Sequence, residues 1–131
     1  MPTTTTFEFG DVVLVPFPFA ENRAITKQRP AIVISRADYS AEALVLGQAG
    51  LNLIVVIGVT SNEATLGAVS IHHWREAGLL HPSSIKPIIT TLSHPEVIKK
   101  IGRLTASDGD ALRRMLLKVL DLSPSSPTRH S

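Results

Sequence analysis

Cysteine is absent from this 131-residue chain, which removes disulfides, thiolate metal sites and thiol nucleophiles from consideration. Metal-binding spacing is missing as well. His72, His73, His81, His94 and His130 make no His-Glu-x-x-His motif and no i, i+4 pair, so neither a metal nor a cofactor is expected. There is no Gly-x-Ser-x-Gly elbow and no glycine-rich phosphate loop, which leaves Ser-His-Asp hydrolases and nucleotide folds unsupported. No apolar run approaches the ~18 residues that span a bilayer. Met1-Pro2 and the four threonines after it lack the basic and apolar regions of a signal peptide, so a cytoplasmic location without membrane contact is expected. Charge is also scarce: charged residues make up 18% of the chain and the net charge is +2. That allows an anionic partner without requiring one.

What is present is material for a core. Hydrophobic residues make up 44% of the sequence, enough for one ordered domain over residues 1–122. The tail, residues 123–131, is rich in Ser and Pro and is expected to be disordered. Val12 to Phe17 and Ala31 to Ile34 are β-branched runs too short for helices and read as buried strands. Pro16 and Pro18 each remove a ladder donor, so the first strand should end, bulge or lie at an edge there. Arg36 to Ala43 suggests a helical turn and Leu44 to Leu46 a brief strand. Leu53 to Val59 reads as a central strand ending at Thr60-Ser61-Asn62, and Leu66 to Ile71 as a further strand. Residues 72–78 read as a turn closed by Gly78. Ser84 to Leu92 is a strand that Pro87 must bend or place at an edge, whereas Val97 to Leu104 mixes helical and strand cues.

Leu112, Met115, Leu116, Val119 and Leu120 recur at helical spacing behind a Thr105 or Ser107 cap, with Asp108 and Asp110 in the first turn. This is an amphipathic C-terminal helix whose stripe serves the core or a dimer contact. Short strands, turn signals and one late helix predict a mainly β (α+β) chain folded as a small, strongly curved antiparallel barrel. Between the first two strands, Arg23, Lys27 and Arg29 face one acid, Glu21. Proline after Arg29 biases it to extended geometry, at the mouth of the second strand. Arg29 alone equally reads as a surface salt bridge to Asp11, Asp38 or Glu42, and Thr60 as the cap of the following turn.

Gly10-Asp11-Val12-Val13 with Phe17, Gln28-Arg29-Pro30-Ala31-Ile32-Val33-Ile34-Ser35 and Val59-Thr60-Ser61 together resemble the PemK/MazF toxins of type II toxin–antitoxin modules. The likeness continues through Gly78-Leu79-Leu80-His81-Pro82-Ser83 and Lys100-Ile101-Gly102-Arg103-Leu104, and so covers about residues 8–122. The resemblance implies an SH3-like barrel, a homodimer, and metal-independent cleavage of single-stranded mRNA at short sequences. It also implies a cognate antitoxin protein as the inhibitor. By position it implies catalytic roles for Arg29 and Thr60, and substrate contacts from Lys27 and Gln28. Ser61 and Lys86 are further substrate-binding candidates. Two departures stand out. Ala24 to Gln28 replaces the glycine and acid common in the first loop, and Thr90-Thr91-Leu92-Ser93 stands where members often read Arg-Thr-Leu-Asp. Lys86 or Lys99 would then have to supply the second charge, and His81 or His94 the base, with altered specificity, a slower reaction or loss of activity. The rival expectation is a non-catalytic module on the same barrel, either an RNA binder or a CcdB-like gyrase poison.

Overall fold

The computed structural model describes residues 7–18, 26–36, 53–61 and 68–122. They form six strands: β1 (Asp11–Pro18), β2 (Thr26–Val33), β3 (Leu53–Thr60), β4 (Val69–Ile71), β5 (Ser83–Ser93) and β6 (Lys99–Arg103). One helix, α1 (Ala106–Val119), follows them. The strands make a single antiparallel sheet in the order β4-β5-β3-β2-β1-β6, with β3 central as its apolar run implies.

Side chains alternate across this sheet, and both faces are covered. Val12, Ile32, Ile57, Val59, Ile71 and Ile85 pack with Leu112, Met115 and Leu116 of α1. Val13, Val15, Ala31, Val33, Ile54 and Val56 point the other way, into a second cluster with Phe7 and Leu92. Burial on both faces is why these strands read as continuous apolar runs rather than strict alternation.

Pairing over distance lengthens β2 beyond its apolar core. It begins at Thr26 because it follows β1 in register from Val12↔Ile32 to Pro18↔Thr26. Arg29 is therefore inside the strand, opposite Val15, and not at its mouth. Ile34 falls just past the strand, where its N–H donates to the Val55 carbonyl at 2.9 Å.

Two irregularities curve the sheet, since bulges bend the strand that carries them and increase its twist. One lies between Val12 and Val13, opposite Gly102 and Lys100 of β6. The other lets Pro87 and Ile88 stand out of the ladder between Lys86↔Gly58 and Ile89↔Ile57. Pro87 thus sits in a bulge, one of the few places a strand tolerates proline. Pro16 and Pro18 lie beyond Leu14↔Lys99, the last pair with β6, where among the described residues one flank of β1 has no ladder to complete.

The two ends of the sheet meet through glycine. Residues 72–78 turn after β4, and Gly78 ends the turn with φ +88. A Cβ there would overlap the Ile101 carbonyl, and one at Gly102 would overlap the Ala77 carbonyl. Backbone meets backbone at this contact, and it curls the sheet into the partial barrel. Asp11 locks the neighbouring seam. Its carboxylate, 1% exposed, pairs with Arg103 at 2.7 Å and Lys100 at 3.2 Å and accepts the Glu8 N–H at 2.9 Å.

The Thr105 hydroxyl caps α1, accepting the Asp108 N–H at 3.4 Å. Asp108 is not merely a favourable charge at the helix start. It is buried and accepts the N–H groups of His72 and His73 at 3.1 and 2.8 Å, fixing the turn after β4 to the helix. The helical stripe is shorter than its spacing suggests: Val119 and Leu120 are about half exposed (48% and 46%). Among the described residues no helix is long and apolar enough to cross a membrane. The expected turn over residues 37–43, the Leu44 to Leu46 strand and the tail from Ser123 lie outside the described residues.

Candidate active site

Strand register decides which of the candidate residues can act together. β2 and β3 pair at Ala31↔Gly58, Ile32↔Ile57 and Val33↔Val56. Carried two residues further, that register sets Arg29 opposite Thr60. The row continues across the sheet, because Thr60 pairs with Ser84 of β5, and Ser84 with Ser70 of β4. Arg29 lies two residues from Ala31, and Thr60 four from Val56, so both belong to the face opposite α1. Lys86 shares that face through its pair with Gly58, which has no side chain to stand between Lys86 and the Arg29–Thr60 pair. Lys27, exposed and two residues before Arg29, completes a group of three cations and one hydroxyl. Gln28 alternates to the other face. Ser61, just past the end of β3, is exposed at the mouth of the barrel.

A second feature adjoins Arg29. A cavity of about 360 Å³ has Arg29, Ser61, Lys99 and His81 in its wall, over Leu14 and Pro30. His81 is on a turn held by Ser83, whose hydroxyl donates to the His81 carbonyl at 2.7 Å. His94 has a different setting. Its ring lies 4.7 Å from that of Phe7, and its Nε2 is buried without a hydrogen-bond partner among the described residues. It follows Ser93, which pairs with Leu53 at the far end of β3, about 23 Å along the strand from Thr60. Of the two histidines considered as a base, only His81 shares a cavity with Arg29.

The same measure separates the cations. Thr90 pairs with Val56, about 13 Å along β3 from Thr60, while Lys86 is about 7 Å away. Lys99 pairs with Leu14, on the helix-side face. Asp11, one proposed partner for Arg29, is instead held by Arg103 and Lys100; Asp38 and Glu42 lie outside the described residues. Among the described residues no three His, Asp or Glu side chains gather as a metal site.

The extended β2–β3 register thus sets an arginine opposite a threonine, on a partial barrel joined through Gly78 and Gly102. The family profile described as "PemK-like, MazF-like toxin of type II toxin-antitoxin system" matches residues 8–120. This chain belongs to that family. No curated protein matches it by sequence, but solved structures do by fold. One is a mycobacterial endoribonuclease in complex with its cognate antitoxin, 15% identical, with a TM-score of 0.63 over 93% of this chain and all of that one. Another is the MazE-MazF structure from Deinococcus radiodurans, 19% identical, TM-score 0.63, covering 89% of this chain and 98% of that one. The Mycobacterium tuberculosis toxin MazF-mt6 is 19% identical, with a TM-score of 0.58 over 85% and 96%. The fold expected of a PemK/MazF member is therefore the fold observed.

Family membership also explains the motifs that do no chemistry. Gly10-Asp11 and Lys100-Ile101-Gly102-Arg103 are the two sides of one seam, joined by the buried Asp11 carboxylate, while Gly102 makes its close approach to Ala77 in the turn after β4. Ser84 and Ser70, in line with Thr60, went unnoticed in the sequence because only the β3–β5 and β4–β5 registers align them.

Proposed function

We propose that this PemK/MazF-family toxin is an endoribonuclease that cuts single-stranded mRNA at short sequences without a metal. It acts in the cytoplasm as a homodimer and is inhibited by a cognate antitoxin protein. The observation that carries the reading is the β2–β3–β5 register, which sets Arg29 opposite Thr60 on one face of the sheet with Lys86 on the same face.

In the reaction, the ribose 2′-oxygen attacks its neighbouring phosphorus, a 2′-O–P bond forms, and the P–O5′ bond breaks. The products are a 2′,3′-cyclic phosphate and a 5′-hydroxyl. Negative charge grows on the phosphoryl oxygens, where the Arg29 guanidinium donates in a fork and Lys86 adds a second positive charge. The Thr60 hydroxyl orients the phosphate, and Lys27 and Ser61 hold the flanking chain, while Gln28 faces away from it. Neither guanidinium nor hydroxyl is a useful base at neutral pH. His81 takes the 2′ proton in this reading, supported by its place in the same cavity wall as Arg29, and water protonates the departing 5′ oxygen. The family match favours this reading over a gyrase-directed or purely RNA-binding module.

The test is purified protein on mixed-sequence RNA with EDTA present. Cutting that Arg29→Ala abolishes supports the proposal. Intact RNA across salt concentrations and substrates ends it.

A further inference from the structure

A second cavity, of about 520 Å³, lies at the β4 end of the sheet, and apart from Ser61 its wall takes no part in the reaction above. Trp74, His72, Ser61, Ser70 and Ser84 are in its wall. We propose that this cavity receives a nucleobase next to the scissile phosphate and so sets the sequence that is cut. The inference rests on the endoribonuclease reading.

Three observations carry it. First, the cavity is continuous with the site by register: Arg29, Thr60, Ser84 and Ser70 occupy successive strands of one row, and the last two reach the cavity wall. A chain whose phosphate lies at Arg29 and Thr60 is thereby led towards Trp74. Second, the wall has the chemistry of base recognition. An indole offers a flat π-face for stacking, which every base accepts. Serine hydroxyls both donate and accept, so they can meet the amide and amine edges that distinguish bases. The volume lies in the range of about 300–1,000 Å³ typical of small-molecule sites. Third, the wall is held in place. Asp108 anchors the backbone at His72 and His73, and the Arg75 guanidinium sits 4.9 Å from the centre of the Trp74 ring, adding positive charge beside an anionic chain.

Trp74 is the only tryptophan in the chain, so its fluorescence reports on this cavity alone. The wild-type protein would be titrated with a short 2′-deoxy oligonucleotide, which lacks the attacking hydroxyl, and with an abasic oligomer of equal length. Saturable quenching by the first, at concentrations about tenfold or more below those needed for the second, is expected if a base stacks on the indole. In cleavage assays Trp74→Phe and Ser84→Ala should change the ranking of cut sequences. Equal quenching by both oligomers would overturn the proposal, as would an unchanged ranking in both variants. A wild-type protein that cuts RNA while its tryptophan ignores bases loses the subsite and keeps the nuclease. One that quenches with bases but leaves RNA intact keeps the base cavity and loses the nuclease.

Discussion

Cations serve two opposite ends in this molecule. At the seam between β1 and β6, Arg103 and Lys100 close on the buried Asp11 carboxylate, and the motif is satisfied within itself. On the face that crosses β2, β3 and β5, Lys86 pairs with Gly58, and Arg29 lies two residues along, opposite the Thr60 hydroxyl by register. Residues of one type, a few strands apart, hold the fold in the first region and, in the function proposed here, meet the RNA phosphate in the second. Only strand register distinguishes them. A motif list would treat Arg29 and Arg103 alike.

Substitutions on each side should break the comparison in opposite ways. The largest effect expected is at the seam. Asp11→Ala loses two ion pairs and a backbone hydrogen bond at a buried site and should cost about 3 kcal/mol. Thermal unfolding should register this as a drop of roughly 10 °C. Gly102→Ala drives a methyl into the Ala77 carbonyl and should cost a similar amount, about 3 kcal/mol, read by urea unfolding. An unchanged melting temperature in either variant would mean that the barrel does not depend on this closure. Arg29→Ala should leave the melting temperature nearly unchanged while cleavage falls about 100- to 1,000-fold. Loss of folding in that variant would move Arg29 from the site to the scaffold. Thr60→Ala, which removes one hydrogen bond to the anionic phosphate, should slow cleavage about tenfold or somewhat more. Lys86→Ala is the mildest. It should raise KM several-fold and flatten the salt dependence of binding, because one phosphate-facing charge is gone.

The regions also differ in how far the sequence discloses them. Strands of buried β-branched residues, the capped helix and the turn ending at Gly78 all follow from local chemistry, and each is found where the pattern puts it. The β2 start escapes that reasoning, because polar Thr26 to Arg29 become strand only by pairing with β1. Val97 to Leu104 remains ambiguous until β1 supplies a partner, which makes Lys99–Arg103 within it strand β6. Asp108 looks like an ordinary first-turn acid, and nothing nearby in sequence reveals that it binds a turn 35 residues earlier. The Arg29–Thr60 pairing has the same character. Each half is visible as a short motif, while their opposition depends on the alignment of two strands separated along the chain by a long connection.

The glycine contact at Gly78 and Gly102 has one more consequence. It leaves no side chain to trim or enlarge, so mutation cannot tune the join by degrees. The segment that leaves it runs directly through Leu79, Leu80 and His81 to the cavity beside Arg29, and Leu80 is 86% exposed. It is a short strap, fixed at Gly78 and again where β5 begins at Ser83, with Leu80 turned outward. Leu80 can be exchanged without disturbing either anchor, whereas the glycines at the join cannot.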